Sequence, residues 1–260
     1  MDLMVEIPLT IRLILAALFG LVFGSLVTAL SYRLPRGLSI AKGRSLCPYC
    51  VHTLAASDLV PVFSWVLNKG LCRYCGANIS WRYPAIEITT ATLCVIGMAL
   101  STTPEKMWVL LAITPAIMTL AVIDIEHKYL PNGLVLILAL LAGAMRWVSD
   151  GEVLAGLALA SGVVILGLLV DAGYRACMVS EGLGLGNVKL MAVGALALPL
   201  EVFIFFLALT TLLSIFFVVV YKCMRPNYEF YFCSTILASF WFCLVAEGFI
   251  KTSFVVAFID

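Results

Sequence analysis

The chain has 260 residues, of which 63% are hydrophobic and only 12% charged, with a formal net charge of +1 and a mean hydropathy of +1.11. A soluble domain of this length carries about twice that share of charged residues. The apolar residues also fall into runs long enough to cross a bilayer, which argues against a water-soluble enzyme.

The first such run covers about 10–31. Asp2 and Glu6 precede it, Arg12 is its only early base, and it ends at Tyr32-Arg33-Leu34-Pro35 without a small-residue cleavage site. It reads as a retained span and not as a signal peptide. A polar stretch, 33–83, follows. Further spans are expected at 84–101, 106–123, 131–147, 153–176, 188–198, 202–221 and 231–247, about eight in all. The run at 188–198 is short and suggests a half-helix or a reentrant segment. The fold class is therefore an all-α polytopic membrane protein with one inserted polar loop. Its expected divisions are 1–32 as the first span, 33–83 as the loop and 84–260 as the remaining membrane domain.

Orientation follows from the bases. The stretch 33–83 holds Arg33, Arg36, Lys42, Arg44, Lys69, Arg73 and Arg82 against a single acid, Asp58. Alternating sides places Lys128, Arg175, Lys189, Lys222 and Arg225 with it, and leaves Arg12, Lys106, Arg146 and Lys251 opposite. Twelve bases against four put the loop in the cytoplasm. No nucleic-acid partner is expected; the bilayer is.

The loop carries Cys47-Pro48-Tyr49-Cys50 and, 21 residues later, Cys72-Arg73-Tyr74-Cys75-Gly76. Two C-x-x-C knuckles at this separation have the spacing of a tetrahedral four-cysteine zinc site. Thiolates suit zinc, and four of them leave no open position, so the metal is expected to be structural. Disulfides are disfavoured in a reducing compartment. Cys94, Cys177, Cys223, Cys233 and Cys243 lie in or beside apolar runs and read as small buried hydrophobes.

Two polar motifs fall on the loop's side of the membrane. Asp124 stands in Ile123-Asp124-Ile125-Glu126-His127-Lys128-Tyr129-Leu130-Pro131; taken alone it is readable as a solvated cap. The second motif is Glu181-Gly182-Leu183-Gly184-Leu185-Gly186-Asn187-Val188-Lys189. Its alternating glycines allow close backbone approach or positive φ. A dinucleotide loop does not fit, since no βαβ unit surrounds it. Three further acids fall in or near spans: Glu87, expected to pair with Arg82 or another loop base; Asp171, a candidate to share a cavity with the two motifs; and Glu247, expected near the outer surface.

These residues carry a resemblance. Gly24-Ser25, Tyr32-Arg33-Leu34-Pro35-Arg36-Gly37, the two C-x-x-C pairs, Asp58-Leu59-Val60-Pro61-Val62-Phe63-Ser64-Trp65, Ile79-Ser80-Trp81-Arg82-Tyr83-Pro84 with Glu87, and the Asp124 and glycine motifs together resemble the type IV prepilin peptidases of the GxGD class of intramembrane aspartic proteases. The resemblance covers nearly the whole chain. It implies a two-aspartate endopeptidase in the bacterial inner membrane, with its site facing the cytoplasm. It further implies removal of the basic leader of prepilins or type II secretion pseudopilins, N-methylation of the new N-terminus from S-adenosylmethionine, and an indirect relation to pilus or secretion assembly machinery. The methyl-donor site is not legible.

One position departs. Where the family has its second Asp, this chain has Asn187. Paired carboxylates activate water by sharing a proton; an amide neither takes up nor releases one. The chain is therefore expected to cleave poorly or not at all, either through an introduced Asp→Asn change or as a naturally inactive, prepilin-binding or assembly homologue. A transporter using Asp124 and the short run as an ion site is a third reading, disfavoured by the four-cysteine loop.

Overall fold

The computed structural model describes residues 8–39, 44–177, 184–224 and 232–259. Among these the chain forms helices and no strands. Seven helices are long and apolar enough to span a bilayer, and an eighth apolar helix, Leu185–Ala197, is shorter. The chain divides into two compact units, Met1–Thr119 and Leu120–Asp260.

The first unit holds α1 (Leu9–Arg33), the short α2 (Phe63–Leu67), α3 (Arg82–Leu100) and the start of α4 (Pro104–His127). The buried face of α1 is Ala16, Gly20, Gly24, Val27, Thr28 and Ser31, a small-residue stripe at helical spacing that lets two backbones approach closely. A Cβ on Gly20 would stand 2.4 Å from the Ala91 Cα, and one on Gly24 would stand 2.7 Å from the Glu87 Cα. Ala16, Cys94, Met98, Met107 and Leu111 pack together beside that contact. Glu87, buried at the close approach, accepts the Val62 N–H at 2.8 Å and bonds Ser25. It therefore satisfies itself on the loop backbone and not, as the sequence suggested, on Arg82, which donates to Ser31 Oγ at 2.7 Å.

The second unit holds the end of α4, then α5 (Asn132–Ser149), α6 (Val153–Cys177), α7 (Leu185–Ala197), α8 (Leu200–Met224) and α9 (Phe232–Ile259). The chain leaves α4 through Lys128, whose left-handed φ of 52° and N–H bond to Asp124 O end the helix; Pro131 then caps α5. At 13 residues, α7 reaches about 20 Å, short of the ~30 Å hydrocarbon layer. Its neighbours make room with glycine: Gly156 of α6 faces the Leu196 carbonyl, Gly167 faces the Val188 side chain, and Gly194 of α7 faces the Phe206 ring. Phe206 meets Phe240 edge-on at 6.3 Å, joining α8 and α9 in the core. Glu247 is buried and paired with Lys251 at 2.7 Å and Ser149 at 3.1 Å. Asp171 pairs with Arg175 at 2.9 Å.

Candidate active site and metal centre

The two polar motifs meet on the first turn of α9. Asp124 lies within the last turns of α4, which continues to His127, and is only 6% exposed. It is therefore not a solvated cap. Its Oδ2 accepts both the backbone N–H of Ser234, at 2.9 Å, and the Ser234 hydroxyl, at 2.6 Å. The first-turn amides of a helix have no intrahelical acceptor, and that end carries the positive pole of the macrodipole. A carboxylate there is held in place by both bonds.

The preceding residue serves the second motif. Cys233 Sγ–H donates to Asn187 Oδ1 at 2.8 Å, and the same thiol lies within hydrogen-bonding reach of Asp124. Cys233 thus bridges the two positions the sequence singled out. Asn187 sits in the first turn of α7, with its N–H bonded to Gly184 O. Gly186 is needed for approach and not for positive φ: a Cβ there would stand 2.8 Å from Leu130 Cδ1 and 3.8 Å from Cys233 Sγ. Lys189 donates to Asn132 Oδ1 at 2.8 Å, tying α7 to α5. Glu181, Gly182 and Leu183 of the glycine motif lie outside the described residues. Sequence reading missed both α9 residues: Cys233 reads as a core thiol, and Ser234 belongs to no motif.

The arrangement sets one buried carboxylate beside one amide, both oriented by α9. Asp124 can act as a proton acceptor toward water; Asn187 can donate or accept hydrogen bonds but cannot exchange a proton.

The candidate metal centre lies in the first unit. The sulfurs of Cys47, Cys50, Cys72 and Cys75 all lie within 4.8 Å of one another. Cys47 and Cys75 Sγ are 3.9 Å apart, close to the ~3.8 Å edge of a tetrahedron with ~2.3 Å zinc–sulfur bonds and far from the ~2.05 Å of a disulfide. The two knuckles repeat one design. Cys47 N–H bonds His52 O, and Cys72 N–H bonds Ala77 O; Val51 N–H returns to Cys47 O, and Gly76 N–H to Cys72 O. The residue after each second cysteine has positive φ, 58° at Val51 and 71° at Gly76. The backbone N–H of Cys50, with lesser help from the Tyr49 backbone N–H and the Cys72 and Cys50 side chains, outweighs burial and holds the Cys47 thiol down to about 7. Cys75 is drawn down by the Ala77 N–H but pushed up to about 12 by lost hydration and its bonds with Cys72, Cys50 and Cys47. The donor set fits a closed metal site.

The knuckles are braced by Asp58. Its carboxylate accepts the Ala55 N–H and the Tyr74 hydroxyl, each at 2.9 Å, and faces Arg73 at 3.9 Å. Trp65 Nε1–H donates to Ile79 O at 3.1 Å and closes the loop's other side.

Residues 18–100 match the family model described as the bacterial peptidase A24 N-terminal domain, and residues 109–221 match that of the type IV leader peptidase family. A "Prepilin leader peptidase/N-methyltransferase" of Bacillus subtilis (strain 168) is 33% identical over 183 residues, which are 68% of this chain and 69% of that protein. A protein of the same printed name from Aeromonas salmonicida (strain A449) is 37% identical over 57% of this chain and 52% of its own length. A "Type 4 prepilin-like proteins leader peptide-processing enzyme" of Escherichia coli O78:H11 is 32% identical over 46% and 51%. The chain thus spans about half the length of the last two. No solved structure matches. With both of its units matched to this one group, and a relative followed over more than two thirds of its length, the chain belongs to the type IV leader peptidase family.

Proposed function

We propose that this chain is a prepilin-processing membrane protein whose cutting site is Asp124 together with residue 187, and that Asn187 leaves the present chain unable to cut. The observation that carries the reading is the convergence of both positions on Cys233 and Ser234 of α9. With Asp at 187, two carboxylates share that turn; one takes a proton from water while the other donates to the scissile carbonyl. The substrate is a prepilin or pseudopilin whose basic leader lies on the side of the basic loop and whose apolar helix docks from the bilayer. That side is the cytoplasm, and the membrane is the bacterial inner membrane. The parts are 1–32 as first span, 33–83 as zinc loop and 84–260 as protease domain, and the processed subunits pass to pilus or type II secretion assembly.

The four cysteines hold structural zinc, which supplies the loop with a fixed crossing point. N-methylation of the new N-terminus, after the printed names of the relatives, calls for S-adenosylmethionine. No strand occurs among the described residues, so a sheet-based donor site finds no support, and no residue is assigned to that step.

A second reading, a naturally silent prepilin-binding or assembly protein, rests on Asn187 itself, whose amide neither takes up nor releases a proton. The two separate on the Asn187→Asp variant mixed with a cognate prepilin in proteoliposomes. Cleavage that disappears on adding Asp124→Ala supports the peptidase; no cleavage supports the silent binder.

A further inference from the structure

The first unit contains a cavity of about 340 Å³ between the end of α1 and the basic loop, which neither the cutting site nor the metal centre uses. One wall is α1 itself: Leu26, Ala29 and Leu30, then Arg33. From Leu26 to Arg33 is seven residues, about 10 Å along the axis. The wall thus runs from aliphatic to cationic along a helix that is long and apolar enough to cross the membrane. The loop supplies the opposite wall, with Arg44 and Ser45 beside Leu54. Arg33 donates to the carbonyls of Ser39, at 3.3 Å, and Arg44, at 3.4 Å; Arg44 donates to that of Leu54, at 3.4 Å. Among the described residues lining the cavity there is no carboxylate.

We propose that this cavity is a binding site for an anionic phospholipid. The phosphate sits against Arg33 and Arg44, and one acyl chain descends along Leu30, Ala29 and Leu26. Two features select this occupant. The charge gradient follows the axis of a span, as a lipid's does, and paired arginines suit a phosphate better than lysines would. A basic prepilin leader is repelled by the same pair. The site is independent of the chemistry at Asp124 and residue 187.

The test is native mass spectrometry of the full chain in detergent, titrated separately with phosphatidylglycerol, phosphatidylcholine and inorganic phosphate. The expected result is one retained phosphatidylglycerol, bound at least about tenfold more tightly than phosphatidylcholine. Arg33→Gln with Arg44→Gln removes that preference, whereas Arg33→Lys with Arg44→Lys keeps most of it. Ala29→Phe, which fills the apolar wall and leaves both charges, also weakens the lipid at least about tenfold. Metal content reports that each variant is folded. Equal binding of the two lipids, an unchanged double Gln variant, or inorganic phosphate competing fully with the lipid would each overturn the proposal; a double Gln variant that loses its metal passes the decision to Ala29→Phe, whose unchanged affinity overturns it.

Discussion

The thiol of Cys233 donates to Asn187 Oδ1 at 2.8 Å, while its neighbour Ser234 gives two hydrogen bonds to Asp124. Two consecutive residues on one helical turn therefore orient both polar positions. That gives α9 a role in the site that no motif announces.

Ser234→Ala removes the 2.6 Å hydroxyl bond and keeps the backbone one. A hydrogen bond to a charged group contributes about 1.5–3 kcal/mol. In an Asn187→Asp background the expected loss in kcat/KM is therefore about tenfold to a hundredfold. Steady-state cleavage of a prepilin checks this, and loss of the same bond should also lower the unfolding temperature by a few degrees.

Val51 and Gly76 occupy the same place in the two knuckles, but Val51 is β-branched and takes its positive φ at a cost of ~1–3 kcal/mol. Val51→Gly should tighten metal binding, and Gly76→Val should weaken it. Competition with a chromophoric chelator measures both. Opposite signs are expected; weakening by both variants would show that Val51's side chain matters more than its backbone.

The extent of α4 and the α9 contacts mark the boundary of what the sequence disclosed. The cysteine spacing, Asp124, Asn187 and the run of spans were readable because each is a local pattern. The partners of Asp124 were not, because they lie 110 positions away in sequence and Cys233 sits beside an apolar run. The sequence offers Glu87 the bases of the loop, Arg82 first, but close packing at Gly24 brings it to the Val62 amide instead. Asp124 resembled a helix end, since hydropathy falls there, yet the helix continues through Ile125, Glu126 and His127.

The Ala55 N–H, then the Tyr74 hydroxyl and Arg73, hold the Asp58 carboxyl below the usual carboxylate range. A depressed carboxyl contributes stability that is fully present above its unfolded value of about 3.9 and is lost as pH falls through the lower folded value. Protection of the Ala55 amide from hydrogen exchange should therefore hold at neutral pH and fade only in that acid range. Asp58→Asn should lack this dependence and be less protected at pH 7.

Gly24→Ala puts a Cβ 2.7 Å from the Glu87 Cα, so α1 and α3 must separate. Overpacking of this kind costs about 1–3 kcal/mol. The variant should unfold at lower temperature, while Gly133→Ala, which meets nothing within 4 Å, should not. Thermal scans in one detergent compare them.

The most direct test restores the missing carboxylate. Asn187→Asp should turn a chain that leaves a cognate prepilin intact into one that removes its leader, and Asp124→Ala in the same background should abolish that gain. An Asn187→Asp chain that is folded, metal-loaded and still unable to cut, or an Asn187 chain that cuts as fast as the Asp variant, would contradict the account.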